Sequence, residues 1–346
     1  MKTYVNTYVS KMIMNFRAWI SGSFIAAAFC CLADDGSTAY NFLDVTSSSR
    51  VYGLGGINIS LIDDDINLIE QNPAFLGPEL GKQVGVNYMR YLGDSDFAGV
   101  RYGMAAGEKS AWAVAVQYFG YGEIRGTDET GADIGSFSPK DIYVAGTFGH
   151  DITDRLRGGI TLKAIYSSYE SYTAFAMATD LGISYFDSDR DLSLSLVITN
   201  LGGQLKRFND VYDRLPVDVR LGWTQGLGPY PFRISVTAWN LTKWHLPYTD
   251  AGDGSADTMP EEKDSFGSNL LRHLVFGMEF MPADAFYVGL GYNYKTRTDM
   301  SAYSRTFLSG MSMCAGFNAN RFSIGGAVAQ PHSGAMTFMF NLRMTL

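Results

Sequence analysis

The stretch Ser49–Gly81, SRVYGLGGINISLIDDDINLIEQNPAFLGPELG, separates two parts of the chain that differ in character. It has no simple hydrophobic period, and it is rich in glycine and in carboxylates. From Gly81 to the end of the chain, apolar and polar residues alternate in segment after segment. A compact, acidic segment ahead of a long alternating array predicts a plug followed by a membrane β-barrel.

Two features within this stretch favour a folded plug. Gly53, Gly55 and Gly56 lie close together in VYGLGG, where tight turns with positive φ favour glycine. Asn72-Pro73 ends a short apolar run of helical spacing, because a residue before proline avoids the helical region. That run is preceded by three consecutive carboxylates, Asp63, Asp64 and Asp65.

The remainder of the chain contains fourteen candidate strands. The predicted segments are 83–91, 96–105, 110–120, 139–149, 156–167, 174–186, 191–201, 215–225, 231–242, 272–281, 285–296, 305–317, 320–330 and 335–346. The pattern is clear in the seventh, where Leu192, Leu194, Leu196 and Ile198 share one face. Period two over about ten residues is typical of a strand that crosses a membrane. The fold class is therefore all-β, a fourteen-stranded antiparallel outer-membrane β-barrel over 83–346 with an N-terminal lumen plug.

The connections between these segments give a separate argument. Those such as Ala106–Lys109 and Asp187–Arg190 are short, whereas alternate ones such as Tyr121–Ser138 and Lys243–Leu271 are long. Outer-membrane barrels have short periplasmic turns and longer outer loops. An even strand number then places both ends of the barrel on the periplasmic side.

Composition agrees with a barrel and excludes other classes. Aromatic residues make up 14% and charged residues 18% of the chain, while the mean hydropathy is near zero. No run of 18 apolar residues follows Leu32, so no helical membrane span is expected there. The formal net charge of −8 argues against nucleic acid as a partner.

The first 33 residues have the pattern of a secretory signal peptide. Basic Lys11 and Arg17 precede an apolar segment from Ala18 to Leu32. We expect cleavage after Ala33, which leaves residues 34–82 as an N-terminal leader and lumen plug. Translation starting at Met12 or Met14 would shorten the long basic region.

A fourteen-stranded barrel is too wide for its own side chains to fill, so the plug is expected inside the lumen. Strand alternation predicts nine lumen-facing charges: Arg101, Lys163, Arg220, Arg233, Lys295 and Arg343 against Asp180, Asp218 and Glu279. We expect Asp63, Asp64, Asp65 and Glu70 of the plug to balance the basic excess. Arg220 and Arg233 are the first candidate partners of the three aspartates. The alternative, in which these acids cap a helix N-terminus and meet water, stays open.

No catalytic, metal or cofactor site is predicted. His150, His245, His273 and His332 have no serine and acid at a recognisable motif spacing. The loop Lys243–Leu271 is rich in oxygen ligands, but its spacing fits no EF-hand. We therefore expect a protein that is not an enzyme.

Several stretches carry a resemblance to a known family. They are AYNFLDVTSSSRVYGLGG (39–56), DDDINLIEQNPAFL (63–76), RGTDETG (125–131), TNLGGQLK (199–206), PFRISVTAWNLTKW (231–244) and RHLVFGMEF (272–280). In order and spacing they resemble the PorQ family, outer-membrane components of the type IX secretion system of Bacteroidetes. More distantly, GLGG followed by NPA is similar to the PorV and FadL-like barrels, which have fourteen strands and an N-terminal hatch.

The resemblance implies a function that the spacing of residues alone does not show. It implies a non-enzymatic subunit of type IX protein secretion and surface attachment, with other secretion components, and cargo proteins, as partners. Outer-membrane lipid and lipopolysaccharide would surround the barrel. The alternative is a FadL-like channel for hydrophobic small molecules, gated by Gly53–Gly56 and Asp63–Asn72.

Overall fold

The computed structural model describes residues 40–127, 133–208, 212–244, 246, 265–283, 285–299, 308–332 and 335–346. The predicted signal peptide 1–33, the next six residues and most of the acidic loop 243–271 lie outside these ranges. No helix among the described residues is long and apolar enough to cross a membrane.

Within the described ranges, fourteen antiparallel strands close into a barrel, which confirms the predicted fold class. Its strands are β1 Gln83–Arg90, β2 Asp96–Ala105, β3 Ser110–Gly120, β6 Lys140–Thr153, β7 Leu156–Tyr169, β8 Tyr172–Asp187, β9 Leu192–Lys206, β10 Asp218–Gly226, β11 Phe232–Ala238, β12 Leu274–Ala283, β13 Phe286–Asn293, β14 Met311–Asn318, β15 Phe322–His332 and β16 Ala335–Thr345. β1 pairs with both β2 and β16, and this pairing closes the cylinder.

Each predicted strand corresponds to one barrel strand, with differences at the ends. The last predicted strand but two begins at Met311 rather than near 305, and the ninth ends at Ala238. A hairpin of β4 (Ile124–Thr127) and β5 (Asp133–Phe137) occupies the predicted loop 121–138. This pair forms its own two-stranded sheet outside the barrel cylinder.

The ends of the barrel differ in their connections. β1 begins and β16 ends at the same end, where neighbouring strands are joined by short turns such as 154–155 and 188–191. The opposite end carries longer segments with helix α2 (Phe266–Arg272) and helix α3 (Tyr294–Asp299). Short turns mark the periplasmic end of such barrels, so the second end is the outer one.

The two faces of the wall meet different surroundings. Large apolar side chains on alternate positions are exposed on the outside, among them Val144, Leu162, Leu196, Leu221 and Phe340. The intervening positions are buried, as the burial pattern of β3 and β9 shows. An apolar outer band around a closed barrel meets lipid, so this chain is an outer-membrane β-barrel.

The segment Tyr40–Gly81, called the plug below, fills the lumen. It contains helix α1 (Ser49–Gly53) and four short 3₁₀ helices at Asn41–Asp44, Ile66–Leu68, Pro73–Phe75 and Pro78–Leu80. Most plug residues are buried, and they pack on inward-facing residues around the whole wall. The helix expected over the apolar run is only the 3₁₀ turn Ile66–Leu68, because Asn72-Pro73 follows so soon.

Candidate functional site

Helix α1 lies directly against the wall at β14 and β15. Ser48 caps it by accepting a hydrogen bond from the Val51 amide at 3.4 Å. A Cβ on Gly53 would lie 2.2 Å from Cys314 Cβ, and a Cβ on Gly291 would lie 2.1 Å from the Gly55 amide nitrogen. Real Cβ atoms do not approach so closely, so glycine at these positions lets plug and wall backbones meet.

Only two of the three predicted turn glycines have positive φ. Gly55 has φ 101° and Gly56 has φ 88°, which supply the turn that follows α1. Gly53 is helical instead. Its lack of a side chain is explained by its approach to β14, a reason that the sequence pattern did not indicate.

The three plug aspartates have separate roles, and the expected pairing with Arg220 and Arg233 is wrong. Asp63 forms an ion pair with Arg50 of the plug itself. Asp65 caps the turn Ile66–Leu68 by accepting a hydrogen bond from the Asn67 amide at 2.9 Å. The Asp64 carbonyl accepts a hydrogen bond from Arg343 at 2.6 Å, while its carboxylate is exposed.

The two arginines expected to bind these acids have other partners. Arg220 binds Asp218 at 2.6 Å and Asp44 at 3.0 Å. Arg233 donates to the Ile62 carbonyl at 3.0 Å and lies 3.3 Å from Asp191. Asp63 pairs with Arg50, a basic residue of the plug itself that was not among the predicted partners.

Among the described residues, four ion pairs join plug and wall. They are Arg50–Glu279 at 2.5 Å, Glu70–Arg101 at 3.1 Å, Asp44–Arg220 at 3.0 Å, and the Glu79–Arg157 pair. Their wall members come from strands spread around the barrel, so the plug is fixed on several sides. The sequence shows charged residues in the plug and opposite charges at inward positions of the strands. It does not show which of them form pairs.

Arg101 is the most completely bonded of these groups. Its guanidinium donates to Glu70, to Asn67 at 2.5 Å, to Asn87 at 2.8 Å and to Gln117 at 3.2 Å. Burial would raise the pKa of the Glu70 carboxyl, but the Arg101 charge and hydrogen bonds from side chains including Tyr143 lower the pKa below its ordinary value. Glu70 is therefore a charged anchor of the plug.

The other predicted lumen charges are placed as follows. Lys163 binds Asp180 at 2.6 Å beside a bulge where Asn200 has φ 58°, and both side chains are buried in the lumen. Arg343 lies inward near the periplasmic end. Lys295 is a correction: it belongs to helix α3 and binds Asp299 at 2.6 Å, because β13 ends at Asn293.

Asn72, which lies outside α1, connects two segments of the plug with each other and with the wall. Its side chain accepts a hydrogen bond from the Ala74 amide at 2.9 Å and caps the turn that begins at Pro73. The same side chain donates to the Ile59 carbonyl and to Ser184, each at 2.8 Å. Asn72-Pro73 is thus a capped turn that also holds a neighbouring plug segment.

Two cavities lie on opposite sides of the plug. The outer cavity, of about 280 Å³, is bounded by the plug's first half, by β13–β15 and by Trp239. The periplasmic cavity, of about 310 Å³, is bounded by Leu61–Asp64, Phe75 and the turn at Asp154 and Arg155. The first has a largely apolar lining that includes Val45, Tyr52, Ile57, Met311 and Ala329.

The described residues contain no group of three or more His, Cys, Asp or Glu side chains that could hold a metal ion. Of the four histidines considered above, His150 forms a hydrogen bond with Ser110 at 2.8 Å. His273 lies between the Trp239 and Trp244 carbonyls, at 2.9 and 3.0 Å. Residue 245 lies outside the described ranges.

Comparison with known proteins gives a similarity of fold. No family model matches the chain. No curated protein matches it in sequence. The toluene transporter TbuX of Ralstonia pickettii superposes with a TM-score of 0.53 at 11% identity, over 88% of this chain and 98% of that one. The toluene transporter TodX of Pseudomonas putida gives 0.52 at 10% identity, over 86% and 98%. The chain therefore shares the barrel fold of these two transporters.

Proposed function

We propose that this protein is an outer-membrane channel for small hydrophobic molecules, held closed by its plug. The observation that carries the proposal is the outer cavity, a largely apolar space that lies between the plug and the outer half of the wall. A site of this kind suits a ligand that gains by leaving water. The fold shared with two toluene transporters supports the same class of solute.

The test fills the outer cavity. Ala329 lines it, so Ala329→Trp would occupy the space with an indole ring. We expect the initial rate of uptake of labelled toluene to fall at least fivefold in cells that express this variant instead of the original protein. The host should lack its own channel of this fold, and surface levels of folded barrel should be matched.

Val328→Trp is the matched control, because Val328 is the next residue on β15 and strand alternation turns it to the opposite face. It should leave uptake unchanged. Equal uptake by Ala329→Trp and the original protein would contradict a route through the outer cavity. No uptake above that of cells without the protein would contradict channel function altogether.

A second candidate is the one implied by the PorQ family resemblance, a subunit of type IX protein secretion. It is supported by a wall in which neighbouring strands pair all the way round the described barrel, and by a plug ion-paired on several sides. A scaffold needs no passage. The partners would then be other secretion components and cargo proteins, and the barrel would need no enzymatic activity.

Gene deletion separates the two candidates. Proteomics of the culture fluid and the cell surface should show loss of exported proteins if the barrel serves secretion. Normal secretion combined with reduced uptake of hydrophobic nutrients would reject the secretion candidate and favour the channel.

A further inference from the structure

A short extended piece of the plug runs from the border of one cavity to the border of the other. The outer cavity is bordered by Gly55, Gly56 and Ile57, and the periplasmic cavity begins at Leu61. Residues Ile57–Leu61, called the partition segment below, connect these borders. The partition segment has no helical or strand structure, and its residues are buried.

The plug on either side of the partition segment is clamped to the wall by close backbone approach. Before it, a Cβ on Gly291 would lie 2.1 Å from the Gly55 nitrogen. After it, a Cβ on Gly159 would lie 2.3 Å from the Pro73 carbonyl carbon, and one on Gly149 would lie 1.9 Å from the Leu76 oxygen. These contacts leave no room for the flanking parts to shift outward.

The partition segment itself is held by side chains. Among the described residues it makes no backbone–backbone hydrogen bond. Asn58 donates to Ser235 Oγ at 2.9 Å, and Ser60 Oγ lies 2.8 Å from Thr224 Oγ1. Within the plug, Asn72 donates to the Ile59 carbonyl at 2.8 Å. Such bonds between neutral groups are weaker than those that involve charges. Gly56, at its N-terminal side, combines positive φ with open space around its Cβ position, which suits a hinge.

We infer that the partition segment is the constriction of the transport path, and that Asn58 and Ser60 hold it closed against Ser235 and Thr224. This inference rests on the proposed channel function. Movement of the segment away from β10 and β11 joins the outer cavity to the periplasmic one. The route therefore crosses the plug to the periplasm, while the parts named as the gate from sequence, Gly53–Gly56 and Asp63–Asn72, stay mostly fixed.

A disulfide across the constriction tests this inference. Ser60→Cys with Thr224→Cys replaces two hydroxyls that are 2.8 Å apart. Cys314→Ala in the same chain removes the one free cysteine of the described residues. We expect oxidation to reduce the initial rate of labelled toluene uptake at least tenfold, to the level of cells without the protein, and dithiothreitol to restore it.

The matched control is Thr147→Cys with Thr161→Cys in the Cys314→Ala background. These two hydroxyls are also 2.8 Å apart and face inward, but both belong to the wall. Oxidation of this pair should leave uptake unchanged. Alkylation of the free thiols followed by mass spectrometry measures the oxidised fraction in both proteins.

The outcomes are distinguishable. Complete disulfide formation in the Ser60→Cys, Thr224→Cys variant with undiminished uptake would overturn the inference and leave the channel function intact. Absence of uptake by the original protein would overturn both. Asn58→Ala with Ser60→Ala provides a measurement that needs no disulfide: it should raise the ion conductance of the purified barrel in planar bilayers at least threefold, and conductance equal to that of the original protein would overturn the inference.

Discussion

Arg101 shows how a single charged side chain is accommodated in this barrel. It is fully buried, and every partner that it binds is itself buried or half-buried. A buried charge is costly unless it is paired and hydrogen-bonded. The plug supplies both the counter-charge, Glu70, and the amide oxygen of Asn67. At this residue the charge of the wall is stabilised by groups of the plug, and the plug is held in place by the wall.

Replacing Glu70 should be strongly destabilising. Glu70→Gln removes the counter-charge and leaves Arg101 buried among neutral groups. Breaking a buried pair in this way costs roughly 3–5 kcal/mol. Urea unfolding of the barrel refolded in lipid vesicles measures the loss. Asp94→Asn, which removes a partner of Arg90 at an exposed turn, is the control and should change little.

The same carboxyl predicts a dependence on pH. The pKa of Glu70 is lowered in the folded protein, so its contribution is fully present above the ordinary value of 4.5 and is lost as pH falls through the lower folded value. Stability measured from pH 6 downward should decline below about 4.5. Glu70→Gln should show a shallower decline, and identical slopes for the two proteins would contradict this assignment.

At the scale of elements, the wall strands are matched to the plug by their glycines. Gly149, Gly159, Gly182, Gly222 and Gly291 face inward, and at each of them a Cβ would lie closer than 3.0 Å to a plug atom. The high glycine content of the chain is thus partly explained by the space that the plug occupies. A barrel without a plug would have no such need.

Adding one methyl group at such a position should displace the plug. In Gly291→Ala the new Cβ would clash with the Gly55 nitrogen. This is a backbone atom, so no change of side-chain rotamer can relieve the clash. Overpacking of this kind costs about 1–3 kcal/mol. Hydrogen exchange in residues 49–61 should become faster while the strands stay protected. Gly146→Ala, with no atom within 4 Å of its Cβ position, is the control and should leave exchange unchanged.

The outward face of a strand should respond to charge according to depth. Leu196 of β9 pairs with Leu221 near the middle of β10 and is exposed on the outer side, so Leu196→Arg would place a charge in hydrocarbon. The expected cost is about 2–4 kcal/mol at the midplane, compared with about 0–1 kcal/mol near an interface. Leu205→Arg, at the outer end of β9, is the matched control. Equal unfolding free energies for the two variants would contradict this orientation of β9.

For the whole molecule, the plug and the barrel form one closed structure. Fourteen strands enclose more space than their own side chains occupy, and Tyr40–Gly81 takes up that space. Ion pairs from α1, Glu70 and Asp44 reach different sides of the wall. The plug therefore seals the lumen by packing as well as by charge.

Deleting residues 40–81 should convert the barrel into an open pore. Planar-bilayer recordings should then show steady ion conductance, whereas the original protein should conduct little. Resistance of the deleted barrel to unfolding in cold detergent would establish that its strands have closed. A closed barrel that conducts no more than the original protein would contradict the sealing role of the plug.

The amino-acid sequence by itself determined the barrel, the place of its fourteen strands and the inward side of most of them. The reason is local, because each strand lies between lipid and lumen and successive side chains point to opposite faces. Leu194 and Leu196 therefore face lipid, whereas Ser195 between them faces the lumen. Lys295 is the exception among the charges. The alternation there resembled a strand, but the chain turns into α3.

The tertiary structure alone decided which charges meet and where the lumen is sealed. The plug has no repeating period, so its path around the wall cannot be followed from spacing. Asp63 binds Arg50, and Arg50 binds Glu279 from 229 positions further along the chain. Gly53 is needed because Cys314 lies against it. Hydrogen bonds and ion pairs act over a few ångströms in space, and only the folded chain brings these residues that close.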